Sequence, residues 1–147
     1  MPSYRAPVAD VSFLLNRVFG IEKYSNLSGF SDLSPDMLDA ILGEGAKLCE
    51  EVMAPLNRVG DTEGCKRHDD ASVTTPKGFK DAYAKYVEGG WAALSCDPEY
   101  GGQGLPFVAN QCLYEMLNGA NQAWTMYPGL SHGAYEALHA HGTDEQK

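Results

Sequence analysis

The chain has 147 residues, 44% of them hydrophobic and 10% aromatic, enough for one sizeable core and too apolar for intrinsic disorder. Eleven basic residues against twenty acidic ones give a net charge of −9, and no Lys or Arg lies between Gly89 and Gln146, which argues against nucleic acid and anionic membrane as partners. No run of about eighteen apolar residues and no basic-led apolar leader is present, so a cytoplasmic protein without a membrane span is expected.

Residues 1–7, MPSYRAP, carry two prolines and read as an extended arm. Val11, Leu14, Leu15, Val18 and Phe19 then recur at helical spacing up to Gly20. Residues 25–34 are polar and form a connection. Ser34, Pro35 and Asp36 combine a capping hydroxyl, a proline suited to the first helical position and an acidic first turn, so a helix starts there. Its buried stripe is Met37 or Leu38, Ile41, Leu42, Leu48, Cys49, Val52 and Met53, and Pro55 ends or kinks it near Ala54. Gly43 and Gly45 inside it imply a close neighbouring backbone. Residues 59–74 are charged and glycine-containing. Thr75 and Pro76 repeat the start signal ahead of Phe79, Ala82, Tyr83, Tyr86 and Val87.

Residues 89–106, GGWAALSCDPEYGGQGLP, interrupt the helical pattern. Pro98 excludes a helix around Asp97, and Gly101, Gly102 and Gly104 let the backbone turn and pack closely under Trp91, Leu94, Tyr100 and Leu105. A tight turn between helices and a role beside a ligand both remain open. Pro106 opens another helix, with Val108, Cys112, Leu113, Met116 and Leu117 buried, closing near Asn118 and Gly119. A last one runs from about Met126 to His141, with Pro128 in its first turn and Gly142 as its left-handed stop. Thr143 to Gln146, TDEQ, form a capping box, so a further helix is expected to begin where the chain ends, as in an N-terminal piece of something longer.

Chemical motifs are few. Cys49, Cys65, Cys96 and Cys112 form no CxxC pair and read as separate thiols, and no metal site is expected. Gly102 and Gly104 are an incomplete dinucleotide fingerprint, and no phosphate-binding lysine accompanies them. His132 and His139 share a helix face without a ligand pattern, and Glu115 and Glu136 stand singly. The residues alone give an acidic, all-α helical domain.

GWAALSCDPEYGGQGLP, the helix after it and the ending ALHAHGTDEQK resemble the N-terminal helical domain of the flavin-dependent acyl-CoA dehydrogenases, which share a P-E-x-x-GG-x-G loop, here one residue shorter as P-E-x-GG-x-G, and a helix closing in G-T-x-x-Q-K. The resemblance covers 34–147. The arm MPSYRAP and the stretch EEVMAPLNRVGDTEGC further resemble the 3-methylmercaptopropionyl-CoA dehydrogenase-like subgroup, making 1–33 an N-terminal extension with a short helix. What the resemblance implies is α,β-dehydrogenation of an acyl-CoA, with FAD taking the hydride and an electron-transfer flavoprotein taking the electrons, in a homo-oligomer. It also implies that the flavin site, most CoA contacts and the catalytic glutamate lie outside this chain, so no residue here is catalytic and the chain alone is inactive. By register from the shared ending, Thr125, Met126, Gly129 and Gly133 fall where the family's helix lines the acyl-tail pocket. The two glycines leave room for a ligand or for another helix. An acyl-CoA oxidase fragment and a stand-alone helical interaction module are the alternatives.

Overall fold

The computed structural model describes residues 3–147 and bears out an all-α fold; the reading of Met1 and Pro2 as part of an arm lies outside the described residues. Helix α1, Val8–Phe13, runs on as a π-helical segment, Leu14–Phe19, and stops at Gly20, whose φ of 63° suits glycine. Only Val11 and Leu15 of its apolar residues are buried, while Phe13, Leu14, Val18 and Phe19 face outward. The arm ahead of it is fastened down. The Tyr4 hydroxyl donates to the Met116 carbonyl at 2.9 Å, and Glu50 accepts from both the Ala6 amide and the Arg5 guanidinium.

Helix α2, Pro35–Lys47, begins as its start signal requires, with the Ser34 hydroxyl accepting from the Met37 amide at 3.2 Å. Leu38, Leu42, Leu48, Cys49 and Met53 form its buried stripe. Pro55 does not end the helical path. The segment Leu48–Met53 widens into a π-helix and continues as α3, Ala54–Glu63, so the first five residues of the charged stretch 59–74 are helical. The wider turn moves aside the carbonyl that the proline ring would otherwise strike. Gly45 is explained by side chains, since a Cβ there would lie 3.1 Å from Leu113 Cδ1 and 3.4 Å from Met116 Cε; Gly43 faces open space. Both observations correct the expectation of a neighbouring backbone.

A short hairpin of β1, Lys66–Arg67, and β2, Val73–Thr74, is the sheet found among the described residues. Helix α4, Phe79–Glu88, starts three residues beyond Pro76, after Gly78 with φ 85°. It buries Phe79, Ala82 and Tyr86.

Helix α5, Phe107–His141, is broken at Asn121, where φ is −161° and ψ is 85°. In a straight helix Phe107 and His132 would be about 37 Å apart, yet their rings stack with centroids 5.9 Å apart. The chain therefore folds back on itself, giving a first arm, 107–120, and a second arm, 122–141. Sequence placed the second start near Met126. The structure places it four residues earlier because Asn121, 1% exposed, caps the second arm: its Oδ1 accepts from the Trp124 amide at 3.1 Å. Its Nδ2 donates to the Met53 carbonyl at 3.2 Å, tying the break to the π-helical segment. Pro128 consequently sits in the second turn, not the first, where it leaves the Trp124 carbonyl without its i+4 amide.

The core joins all these elements. Leu38, Leu42, Leu113, Met116, Leu117 and Trp124 are nearly inaccessible, and Val11, Leu15 and Ile21 belong to the same cluster. Trp124 fixes the second arm to α4, donating from Nε1 to the Phe79 carbonyl at 3.2 Å and meeting Tyr86 edge-on at 5.4 Å.

Replacing Asn121 with Ala removes a cap and leaves the Met53 carbonyl without its buried donor. We expect Asn121→Ala to lower the unfolding free energy by about 2–3 kcal/mol in urea denaturation followed by far-ultraviolet dichroism. A loss below about 0.5 kcal/mol would show that the break is set by packing alone.

Candidate functional site

The loop between α4 and α5 is built from its own backbone. Gly90, Gly101 and Gly104 have φ of 74°, 86° and 66°. Amides of Gln103, Gly104 and Leu105 donate to the carbonyls of Ala93, Cys96 and Leu94, each at 2.9 Å, folding the strand of loop before Phe107 back along the turn after Gly90. Gly102 is required by space, because a Cβ there would overlap the Cys96 carbonyl. Leu94 and Leu105 are buried beneath the loop as expected, whereas Tyr100 is largely exposed.

Asp97 is the loop's fixed point. Its carbonyl accepts from the amides of Tyr100 and Gly102, and its Oδ1 caps the Glu99 amide at 2.9 Å. Its own amide donates to the Tyr135 hydroxyl at 2.7 Å, and its Oδ2 lies 3.1 Å from His139 Nε2. The Glu99 amide, and after it the His139 ring, hold the Asp97 carboxyl below the usual carboxylate range. Rings continue the contact along the second arm: Phe107, His132, Tyr135 and His139 stack in order, with Tyr100 edge-on to His139. The shared face of His132 and His139 is thus occupied by aromatic neighbours. Among the described residues no group of three or more His, Cys, Asp or Glu could hold a metal. All four cysteines are free thiols.

Two cavities flank the Asp97 contact. One, about 570 Å³, is lined by Tyr83, Pro128, Ser131 and Leu138 among others; the second, about 680 Å³, lies between the turn at Ser28 to Asp32 and the loop at Ser95 and Gln103.

The four residues assigned to an acyl-tail pocket occupy two faces of the second arm. Thr125 is buried and its hydroxyl donates to the Asn121 carbonyl at 2.9 Å. Gly129 faces the first arm, where a Cβ would rest 3.6 Å from the Tyr114 ring. Met126, 59% exposed, and Gly133, with nothing within 4 Å of its Cβ position, lie on the outer side near Leu130, which is 74% exposed. The cavity of about 570 Å³ is lined by the flank carrying Pro128, Ser131 and His132 instead. Sequence reasoning did not find Asp97, Tyr135 and His139 as a unit. The spacing of Tyr135 and His139, one helical turn apart, was the available signal, but their partner is 38 and 42 residues away.

At the C-terminus Gln146 Oε1 accepts from the Thr143 amide at 3.0 Å, one half of the expected capping box. No helix among the described residues is long and apolar enough to cross a membrane.

A sequence model of the acyl-CoA dehydrogenase N-terminal domain matches residues 41–147. The chain is 37% identical over 145 residues to 3-methylmercaptopropionyl-CoA dehydrogenase of Ruegeria pomeroyi, an alignment covering 99% of this chain and 24% of that protein. It is 34% identical over 151 residues to the broad-specificity linear acyl-CoA dehydrogenase FadE5 of Mycobacterium tuberculosis, covering 100% of this chain and 24% of that protein. Butyryl-CoA dehydrogenase of Syntrophomonas wolfei is 28% identical over 148 residues, 99% of this chain and 24% of that protein. The chain therefore spans about a quarter of the length of the curated relatives it matches.

Two measurements test the loop. Gly102→Ala forces the Cys96 carbonyl aside and is expected to cost about 3 kcal/mol of stability, read by urea denaturation; a change under about 1 kcal/mol would mean that the loop yields easily. A carboxyl with a lowered folded pKa stabilises above its unfolded range, and that contribution vanishes as pH falls through the folded value. The melting temperature should therefore drop less steeply between about pH 5 and 2 in Asp97→Asn than in the unaltered chain. Identical slopes would remove Asp97 from the acid response.

Proposed function

This chain belongs to the acyl-CoA dehydrogenase family, as its N-terminal domain, and on that premise we propose that it is part of an FAD-dependent enzyme that oxidises an acyl-CoA thioester between Cα and Cβ. The observation that carries this reading is the family match across 41–147, joined by relatives that align with nearly the whole chain. All three of those relatives are named dehydrogenases, which favours that reaction over an oxidase. An electron-transfer flavoprotein as acceptor, a homo-oligomeric state and a cytoplasmic location complete the proposal.

The half of the chain from Gly89 onward does not fit the flavin dinucleotide. The loop and both arms of α5 carry no Lys or Arg to neutralise a diphosphate, so no step of the reaction is assigned to them and no residue here is catalytic. In this proposal residues 1–33 are an extension strapped to the domain, and 34–147 shape the space for the acyl tail. The outer face of the second arm suits that task. Met126, Leu130 and Gly133 lie on successive turns, exposed and apolar or small, and burying such a face against hydrocarbon is favourable by roughly 25 cal/mol per Å². Thr125 and Gly129, on the inner side, set how closely the two arms approach.

Met126→Trp fills that face without disturbing the core. In the complete flavoenzyme it should lower kcat/KM for long acyl chains by about tenfold or more relative to short ones. An equal fall at every chain length would remove Met126 from the pocket. The purified 147-residue chain is expected to be colourless and inactive; stoichiometric bound flavin would overturn the assignment of the flavin site elsewhere.

A further inference from the structure

The second arm is held in two different ways. Near its start Asn121, Trp124, Thr125 and Pro128 are buried. Beyond His132 every residue from 133 to 141 is exposed except Tyr135 and His139. Both of those reach the same residue, Asp97, through the 2.7 Å bond to its amide and the 3.1 Å contact with its Oδ2. A few polar contacts at a partly exposed place hold far less firmly than a buried apolar face, so such a segment can open while the core stays closed.

Tyr135, His139 and Cys96 line both of the cavities that flank Asp97. The contact is thus the partition between a chamber bordered by Tyr83, Pro128 and Leu138 and a more polar one bordered by Ser28, Asp32 and Gln103. We propose that residues 133–141 form a door, latched shut by Tyr135 and His139 on Asp97, whose opening joins the two cavities into one.

The moving part is the arm and not the loop. Asp97 stays in place without the latch, because its carbonyl and Oδ1 are held by the amides of Tyr100, Gly102 and Glu99. Gly133 stands at the start of the door, within a helix and with nothing within 4 Å of its Cβ position, so no packing need explains a glycine there. A helical glycine gives the backbone extra freedom, which is what a hinge between the anchored and the latched halves needs.

Cys96 reports the state of the door. It is 8% exposed, lines both chambers, and burial pushes its thiol up from the ordinary range, so it reacts slowly while the door is shut. In a Cys65→Ser background, which removes the exposed thiol, the chain is treated with N-ethylmaleimide and each cysteine is followed by peptide mass spectrometry. Tyr135→Phe and His139→Ala should each raise the alkylation rate at Cys96 by about fivefold or more and leave Cys49 and Cys112, buried elsewhere in the fold, unchanged. Gly133→Ala should slow Cys96 by stiffening the hinge. An unchanged rate at Cys96 in the latch variants, or an equal rise at all three thiols, overturns the door.

Discussion

The buried amide of Asn121 carries more of this fold than any other side chain. One oxygen ends the first arm's direction and starts the second arm's, and one nitrogen ties that reversal to the carbonyl of Met53 in the π-helical segment. Were the helix to run straight through this point, Trp124 could not reach Tyr86 and the Phe79 carbonyl, and Tyr135 and His139 could not reach Asp97. Each of those contacts depends on the chain turning within a single residue. An asparagine suits the position because it both donates and accepts, and an Ala or Leu there would leave at least one buried backbone group without a partner.

Around that reversal the molecule is stiff on one side and yielding on the other. Gly45 admits the side chains of Leu113 and Met116 against α2, and the Pro55 kink is absorbed by the π-helical turn, so α2, α3 and the first arm pack as one block. The loop is equally fixed, since its glycines let its backbone bond to itself and Gly102 has no room for a side chain. The far end of the second arm has neither support. It rests on the two polar contacts with Asp97 and on the Tyr100 ring edge-on to His139, and the difference between apolar burial and a few partly exposed contacts is what makes it the part free to move.

Charge divides the chain along the same line. The basic residues other than Lys147 lie before Gly89, while the loop and α5 offer Asp97, Glu99, Glu115 and Glu136 with no cation of their own. A surface of that sign repels phosphate, which accords with the proposal that this half of the chain contributes shape instead of anion binding. The exposed apolar pair Met126 and Leu130 fits such a contribution.

By itself the sequence determined the helical class, the capped start at Ser34, the proline start at Pro106, the left-handed stop at Gly20 and the glycine-built loop; Gly142 also ends its helix, but with φ −72° and ψ 155° it is extended and not the left-handed stop expected. Those signals are local, because a cap, a proline or a positive φ acts within one turn of the residue that carries it. The residues quoted from the loop and the G-T-x-x-Q-K ending also made the family legible. Tertiary structure alone decided that Pro55 bends a helix without ending it, that Gly45 answers to side chains, and that α5 reverses at Asn121. It also decided that Asp97 meets Tyr135 and His139. Each of these turns on a partner tens of residues away, Asn121 on Met53 and Asp97 on His139, and neither hydrophobic period nor capping preference records which distant carbonyl or carboxylate the folded chain will bring within about 3 Å.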